Sequence, residues 1–428
     1  MEIFIRKIKL IIGDAGLRRR IVFVLGALIV FRLLANIPIP AAAGNDLTGL
    51  LANNQFFGFL NLLTGGGLSA VSVVMIGVGP YITSSIIMQL LTMMSPKFKA
   101  MYHEEGELGR RKFTQYSRLL SIPLSFVQGY GILIFLSKQG IISGLTPFEM
   151  LTNTIIVAAG SILLMWIGEL ISEFGIGNGV SLIIFAGIVA SIPQSVSQFV
   201  FTYIYPSFDT SILPSLIGII IATVIIVIAV VYMTEAERPV PVTYAKQARG
   251  GRMGSGGATY LPLRVNQAGV IPIIFALSIL VFPKIIANAL ATTGSESIQV
   301  FAEFIKDILA NNWINGVLYF GLVFIFTYFY TAVSFDPDAI ATNLQKNGAF
   351  VPGIRPGAQT SAYLSKILTR ITLVGAIFLG AIAVLPIAIQ GITDIPSFAI
   401  GGTGLLIVVS VVLELVKGVE SQVSMMEY

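Results

Sequence analysis

The sequence contains no cysteine and only one histidine, His103, among its 428 residues. The absence of cysteine excludes disulfides, thiolate metal sites and cysteine nucleophiles, and a single histidine cannot build a multi-histidine metal centre. No stretch matches the P-loop pattern G-x-x-x-x-G-K-[ST]. We therefore predict that the chain is not an enzyme and has no catalytic residue, metal or cofactor. Any work that it performs would be powered by a partner or a gradient.

Charged side chains are also scarce. The chain has 26 basic and 21 acidic residues, 11% of the total, while 55% of its residues are apolar. Soluble domains carry about 25% charged residues. A soluble fold of this length would need far more charge to cover its surface, so the composition predicts an integral membrane protein.

Ten apolar runs are long enough to cross about 30 Å of hydrocarbon, which takes about 20 helical residues. Lipid offers no partner to unpaired backbone, so we expect each run to form a helix. The predicted fold class is an all-α polytopic membrane protein with ten transmembrane helices. The predicted spans are 21–37, 75–94, 115–136, 151–172, 179–199, 212–233, 267–287, 313–334, 367–390 and 399–417.

The first run also resembles a cleavable signal peptide, because arginines at 18–20 precede it and alanines at 41–43 follow it. Arg32 interrupts the apolar stretch and nine more spans follow, so we expect the segment to be retained. Arg32 and Glu169 are charges within predicted spans. We expect each of them to snorkel toward the interface or to cap a helix.

Basic residues indicate the orientation of the chain. They concentrate in the N-terminal segment 1–20 and in the loops after spans two, six and eight; the latter two loops cover 234–266 and 335–366. By the positive-inside rule these segments are cytoplasmic, as is the C-terminal tail 418–428. The three basic residues on the opposite side are Lys138, Lys284 and Lys306.

The two long loops also carry a prediction about partners. Long exposed loops on a rigid bundle are where partners dock, and the turn 348–357 presents Arg355. The alternative is that the loops only set the topology and attract anionic lipid. Their length favours docking, because topology alone would need only a few residues.

Residues 56–68 do not form a clean span, because glycines at 65–67 stop an apolar run after about ten residues. About ten helical residues reach about 15 Å, half of the bilayer. Such breaks at membrane depth are tolerated only where they face protein or water. The segment is therefore either a re-entrant element inside a cavity or an external amphipathic loop.

The two halves of the chain echo each other. Residues 77–80, Gly-Val-Gly-Pro, recur as 269–272, Gly-Val-Ile-Pro, each early in the second span of a five-helix half. The two spans run in opposite directions, as in an inverted repeat. Ile82 and Ile274 are equivalent positions in this repeat. The predicted halves are 21–200 and 201–417.

A series of short motifs follows in order along the chain: residues 37–40, 80–82, 89–91, 175–179, 244–246, 261–266, 348–357 and 401–403. Together they resemble the SecY family, the channel subunits of the bacterial protein-export translocon, from end to end. The resemblance implies an hourglass pore between the two inverted halves.

The resemblance also implies a ring of apolar side chains that narrows the pore. Such a constriction excludes ions by dewetting and can still close around a moving polypeptide. Matching the motifs assigns the ring to Ile82, Ile86, Ile184, Ile188, Ile274 and Ile407. Leu406 competes for the last position. On composition alone, these isoleucines would be ordinary core or lipid-facing residues.

Other roles follow from the same resemblance. The segment 56–68 is similar to the family's plug, here Phe57, Leu60, Leu63, Gly65, Gly66 and Gly67. Spans two and seven resemble the lateral gate, with Gln89 and Asn266 as its polar residues. The docking residues for a motor or a ribosome would be Lys246, Arg249, Arg252 and Arg355. Two features depart from the family: Phe174 stands where relatives often have a basic residue, and glycines at 250–251 dilute the basic cluster.

The implied function is a protein-conducting channel of the bacterial plasma membrane. It would move unfolded preproteins across the membrane and release signal sequences and transmembrane segments sideways into lipid. The implied partners are SecE-like and SecG-like subunits, the SecA motor ATPase, the ribosome, signal-bearing preproteins and membrane lipid. A competing class is a small-solute transporter, which also uses inverted repeats but needs a polar, charged site at the midplane.

Overall fold

The structure, a computed structural model, describes residues 13–42, 64–138, 146–203, 213–244, 258–277, 311–393 and 401–426, with short pieces between these ranges. Most of the described chain is helical. The helices are α1 (Ala15–Ala35), α2 (Gly79–Met94), α3 (Pro96–His103), α4 (Gly106–Lys138), α5 (Pro147–Phe174), α6 (Gly179–Tyr203), α7 (Leu213–Glu235), α8 (Asn312–Ser334), α9 (Pro337–Lys346), α10 (Ala358–Thr393) and α11 (Gly401–Met426). The strands are β1 (Glu237–Tyr244), β2 (Ala248–Arg249), β3 (Arg252–Met253), β4 (Ala258–Arg264) and β5 (Ala349–Phe350).

The long helices fall on the predicted spans. In the part of the chain that the structure describes, α4, α5, α8 and α10 are long and apolar enough to cross a membrane. Helices α1, α2, α6, α7 and α11 coincide with five other predicted spans. Span seven, 267–287, lies partly outside the described residues. The helical membrane fold is thus confirmed, and the count of ten spans stays a prediction.

Side-chain caps determine where several of these helices begin. Asp14 accepts hydrogen bonds from the backbone N–H groups of Gly16 and Leu17 at the start of α1. Thr146 and Glu149 cap the start of α5 reciprocally, each accepting a backbone N–H of the other. These bonds satisfy N–H groups that have no partner inside the helix, and each such cap stabilises it by about 1 kcal/mol.

Residues 1–218 and 395–428 form one compact unit, in which α11 packs against α6. The main apolar cluster of this unit comprises Ile39, Leu68, Val71, Met75, Ile76, Leu133, Leu136, Ile142 and Val157. A smaller cluster, Leu17, Ile176 and Val423, joins α11 to the start of α1 and to the turn before α6. The last helix is therefore packed with elements from the first half of the chain.

Residues 219–394 form the second unit, in which α8 lies along α10. It contains a three-stranded antiparallel sheet in the order β4-β1-β5. Val240 and Leu263 on one face of the sheet are buried against Leu364 and Ile367 of α10. A second apolar core therefore extends beyond the spans.

The sheet was not predicted from the sequence. The sequence predicts residues 234–266 and 335–366 to be two separate loops. In the structure, β5 from the second loop pairs with the end of β1 from the first, and α9 lies beside β5 and α10. The two loops are therefore parts of one folded platform.

Candidate pore gate and docking surface

Residues 64–78 lead into α2 as a series of turns rather than as a helix. The predicted span 75–94 therefore begins only at Gly79. Gly77 has a φ of +63°, a left-handed conformation that glycine adopts without steric cost and that interrupts a helix. Pro80 follows in the first turn of α2, where its missing N–H costs nothing.

The irregular backbone of 64–78 is satisfied inside the protein. The segments 37–39 and 71–73 pair through two N–H···O bonds of 2.9 Å each. Ser161 of α5 donates a hydrogen bond of 2.8 Å to the Gly77 carbonyl. Irregular backbone at membrane depth is tolerated under these conditions. Residues 64–68, the described end of the segment 56–68, are thus packed against protein, and the re-entrant interpretation of the segment stays a prediction.

Gly65 occupies a position that only glycine fits. Its φ is +64°, and a Cβ atom built there would lie 3.0 Å from Phe31 Cζ and 3.1 Å from Gly187 Cα. The Arg32 guanidinium donates a hydrogen bond to the Gly65 carbonyl. Arg32 therefore anchors the glycine turn, a role that the expected snorkelling or helix capping did not include.

The other predicted plug glycines belong to the same turn. The Gly66 N–H donates to the Asn61 carbonyl at 2.8 Å, and the Gly67 N–H donates to the Thr64 carbonyl at 3.2 Å. The Asn61 side chain accepts a further bond of 2.8 Å from the Ser69 N–H. The other predicted plug residues, Phe57, Leu60 and Leu63, lie outside the described residues.

Helices α6 and α11 carry three of the predicted ring residues. Ile184 and Ile188 are one turn apart on α6, and their exposed fractions are 4% and 5%. A Cβ atom on Gly404 of α11 would lie 3.5 Å from Ile188 Cγ2, so the two helices are in contact there. Ile407 and Leu406 are both 1% exposed, and burial does not choose between them.

The glycine turn meets α6 beside one of these ring residues, because Gly187, which Gly65 contacts, directly precedes Ile188. Ile82 and Ile86 lie one turn apart on α2 and are half-buried. Ile274 belongs to the second unit and is also buried. The structure thus places the glycine turn against α6, which in turn contacts α11, while the plug and a single ring of all six residues stay predictions.

Both predicted lateral-gate amides have an unsatisfied oxygen. Gln89 Oε1 on α2 and Asn266 Oδ1 after β4 are buried and have no hydrogen-bond partner among the residues that the structure describes. A buried acceptor without a partner costs about 1–3 kcal/mol. Each of these oxygens can therefore gain a bond when its surroundings change.

The predicted docking residues Arg249 and Arg252 lie in short strands, and Arg355 lies in a turn. Arg249 and Arg252 are directly opposite each other in the antiparallel strands β2 and β3. Arg355 is exposed and lies on a turn. Its own backbone carbonyl accepts a 2.9 Å hydrogen bond from Thr360 Oγ1. Lys246 lies outside the described residues.

Charged and metal-ligating side chains have a small part in this site. Arg118 of α4 forms an ion pair with Glu169 of α5, so Glu169 joins two helices rather than snorkelling or capping. Among the residues that the structure describes, no group of three or more His, Asp or Glu could hold a metal ion. The described residues of the predicted gate are mainly aliphatic side chains, glycine and backbone, which suits a gated constriction.

Comparison with known proteins identifies the family. A family model described as SecY matches residues 72–416. The protein translocase subunit SecY of Mycobacterium bovis is 39% identical over 432 residues, which cover 96% of each chain. A solved structure of a protein conducting channel has a TM-score of 0.64 at 20% identity, covering 95% of this chain and 93% of its own.

Canine Sec61 in a ribosome–channel complex from the endoplasmic reticulum has a TM-score of 0.60, also at 20% identity, covering 95% of this chain and 93% of its own. At that identity, the two solved structures establish the shared fold alone. The identity and coverage of the bacterial relative, together with the family match, establish more: the chain belongs to the SecY family.

Proposed function

We propose that this chain is a protein-conducting channel that moves unfolded preproteins across the plasma membrane and releases signal sequences and transmembrane segments sideways into lipid. The observation that carries the proposal is membership of a family of translocase subunits over 96% of the chain. This is a family of channel subunits, so the chain is a membrane channel and not an enzyme. Family membership also removes the small-solute transporter as an alternative.

In the proposed mechanism, an apolar constriction seals the resting pore. The aliphatic side chains of Ile184, Ile188 and Ile407 offer ions no substitute for their hydration shell, so a dry ring is a barrier to ions. The contact of Gly65 with Gly187 supports a plug hinge seated directly beside this ring. A preprotein would displace the hinge, and the flexible aliphatic side chains would then close around the moving chain.

The lateral gate would open between spans two and seven. The oxygens of Gln89 and Asn266 support this assignment, because neither has a hydrogen-bond partner among the residues that the structure describes. Opening toward water or toward the backbone of a signal sequence would give each oxygen a donor. Each bond gained in this way would stabilise the open gate relative to the closed gate. The gain per oxygen would be at most the cost of a buried unsatisfied group, about 1–3 kcal/mol.

The force would come from a partner on the cytoplasmic side, where both termini are proposed to lie. Arg355 is exposed, Arg249 and Arg252 pair across the strands β2 and β3, and guanidinium groups suit multidentate docking contacts. A SecA motor ATPase and the ribosome are the proposed partners here. One neighbour of the same fold was solved in a ribosome–channel complex, which supports the second of these. SecE-like and SecG-like subunits are proposed to complete the channel.

Transport into proteoliposomes tests the proposal. The purified channel, reconstituted with its SecE-like and SecG-like partners, should protect a signal-bearing preprotein from added protease when SecA and ATP are supplied. A preprotein without its signal sequence is the control and should remain digestible. Vesicles that protect neither substrate, although the channel is correctly inserted and SecA hydrolyses ATP, would contradict the proposed function.

A further inference from the structure

Prolines occupy unusual positions in the sheet β4-β1-β5. Strands β1 and β4 are antiparallel, with Pro239 opposite Pro262 and with Pro241 two residues further along β1. Directly opposite residues in such a ladder alternate between pairs that exchange N–H···O bonds and pairs whose backbone groups point outward. The Val265 N–H donates to the Ala236 carbonyl at 2.9 Å. The even-numbered residues of β1 are therefore the ones that bond to β4.

All three prolines consequently face outward from the pair. The backbone groups of Pro239 and Pro241 face the edge of β1 that is turned away from β4. On that edge, β5 pairs with β1 only at Thr243 and Tyr244. Pro262 points outward from β4, which is an edge strand. Proline is normally excluded from the middle of a sheet because it cannot donate to the ladder. Here each proline stands where its missing N–H removes no bond within the sheet.

The prolines instead remove donors from the open edges. The outward positions along the uncovered part of β1 are 237, 239 and 241, and only Glu237 retains an N–H. On β4 the outward positions are 258, 260, 262 and 264, and Pro262 interrupts the row. A strand that adds to a sheet needs donors at every second residue. Neither edge offers an uninterrupted row of them.

The exposed face of the sheet provides a reason for the missing donors at its edges. It carries Pro239, Pro241, Tyr260, Pro262 and Phe350, which are all exposed. Such an apolar surface attracts unfolded polypeptide, and an extended chain is the partner that an open strand edge captures. Without the prolines, contact with the face could progress to strand addition along the edge.

We infer that Pro239, Pro241 and Pro262 prevent a translocating polypeptide from adding to this sheet as an extra strand. The inference rests on the proposed function, because it takes an unfolded preprotein as the chain that meets the sheet. The prolines leave the face available for transient contacts or for a docked partner. They remove the cooperative row of backbone bonds that would trap a substrate.

Restoring the donors tests this inference. The double variant P239V/P241V and the single variant P262V each return outward N–H groups and place a residue there that favours strands. A short labelled peptide of alternating threonine and valine serves as the probe for the purified full-length channel in detergent. The double variant should bind it about tenfold or more tightly than the wild type, because two hydrogen bonds return to one edge.

Two control variants separate the edge from the face. T259V introduces the same side chain on β4, where the backbone faces β1 and no outward donor is gained, so binding should stay at the wild-type level. Y260A removes apolar surface from the face without changing the edge, and it should not increase binding. Thermal unfolding of each variant checks that the fold is retained.

Equal probe affinity for the wild type and both proline variants would overturn the inference. So would variants that dimerise through the sheet without binding the probe, because the prolines would then separate copies of the channel rather than exclude substrate. The measurement requires no transport, so its failure leaves the channel function standing. Conversely, failure of wild-type vesicles to transport would contradict the proposed function without changing the result in detergent.

Discussion

Replacing Gly65 with alanine should displace the glycine turn at the predicted plug hinge from its packed position. Alanine at the observed φ of +64° costs about 1–2 kcal/mol. Its Cβ would also lie 3.0 Å from Phe31 Cζ and 3.1 Å from Gly187 Cα. The phenyl ring can move by rotation but the helix backbone cannot, and overpacking of this kind costs about 1–3 kcal/mol. The packed conformation of the turn should therefore lose at least about 2 kcal/mol of stability. This loss shifts the population about thirtyfold toward conformations in which the turn is displaced.

Planar-bilayer conductance without substrate measures this shift directly. The Gly65→Ala channel should leak ions at rest and should accept preproteins with weakened signal sequences, because part of the opening work is already done. Gly26→Ala is the matched control: no atom lies within 4 Å of a Cβ built at Gly26 of α1, and alanine stabilises a helix relative to glycine by up to about 1 kcal/mol. A Gly65→Ala channel as tight as the control would refute this account of the hinge.

Three further substitutions probe other parts of the structure. Arg355→Glu should impair SecA-driven transport and change the unfolding free energy by less than about 0.5 kcal/mol, because Arg355 is exposed; normal transport would contradict its docking role. Asn266→Leu should raise thermal stability and the signal strength needed for transport, because it removes a buried unsatisfied oxygen costing about 1–3 kcal/mol; unchanged stability would count against this. Val423→Asp should expose the C-terminal end of α11 to limited proteolysis, because it places a charge in the Leu17–Ile176–Val423 cluster; an uncleaved helix end would show that this cluster is not needed.

The membrane helices could be predicted because their signal is local. A run of about 20 apolar residues contains the information for its own helix, and α5 and α8 match the predicted spans 151–172 and 313–334 to within a few residues. The sheet carries no such local signal. Its central strand β1 contains two prolines, which argue against a strand unless the register of β4 is known. That register depends on residues about 20 positions further along the chain.

The irregular segment before α2 could be predicted only in part. The glycines at 65–67 indicated a break, but its extension to residue 78 depends on bonds to the segment 37–39 and to Ser161. The two intramembrane charges show the same limit. A sequence shows that Arg32 and Glu169 need partners, yet the Gly65 carbonyl and Arg118 become their neighbours only after the helices have packed.

The resting conductance of a ring variant tests the central claim most directly. Ile407→Asn places an amide at a side chain that is 1% exposed, where an unpartnered polar group costs about 1–3 kcal/mol. Water entering the ring would satisfy the amide, so the closed, dry state loses more stability than the open one. Ile274→Asn should act in the same way, whereas Ile225→Asn on the exposed face of α7, where the isoleucine is 59% exposed, should not.

In a planar bilayer without substrate, the account predicts that the two ring variants conduct ions and that the Ile225→Asn control stays closed. A shift of about 1.4 kcal/mol should raise the open population about tenfold. If Ile407→Asn and Ile274→Asn are as tight as the wild type, these residues do not line the constriction and the proposed ring is contradicted.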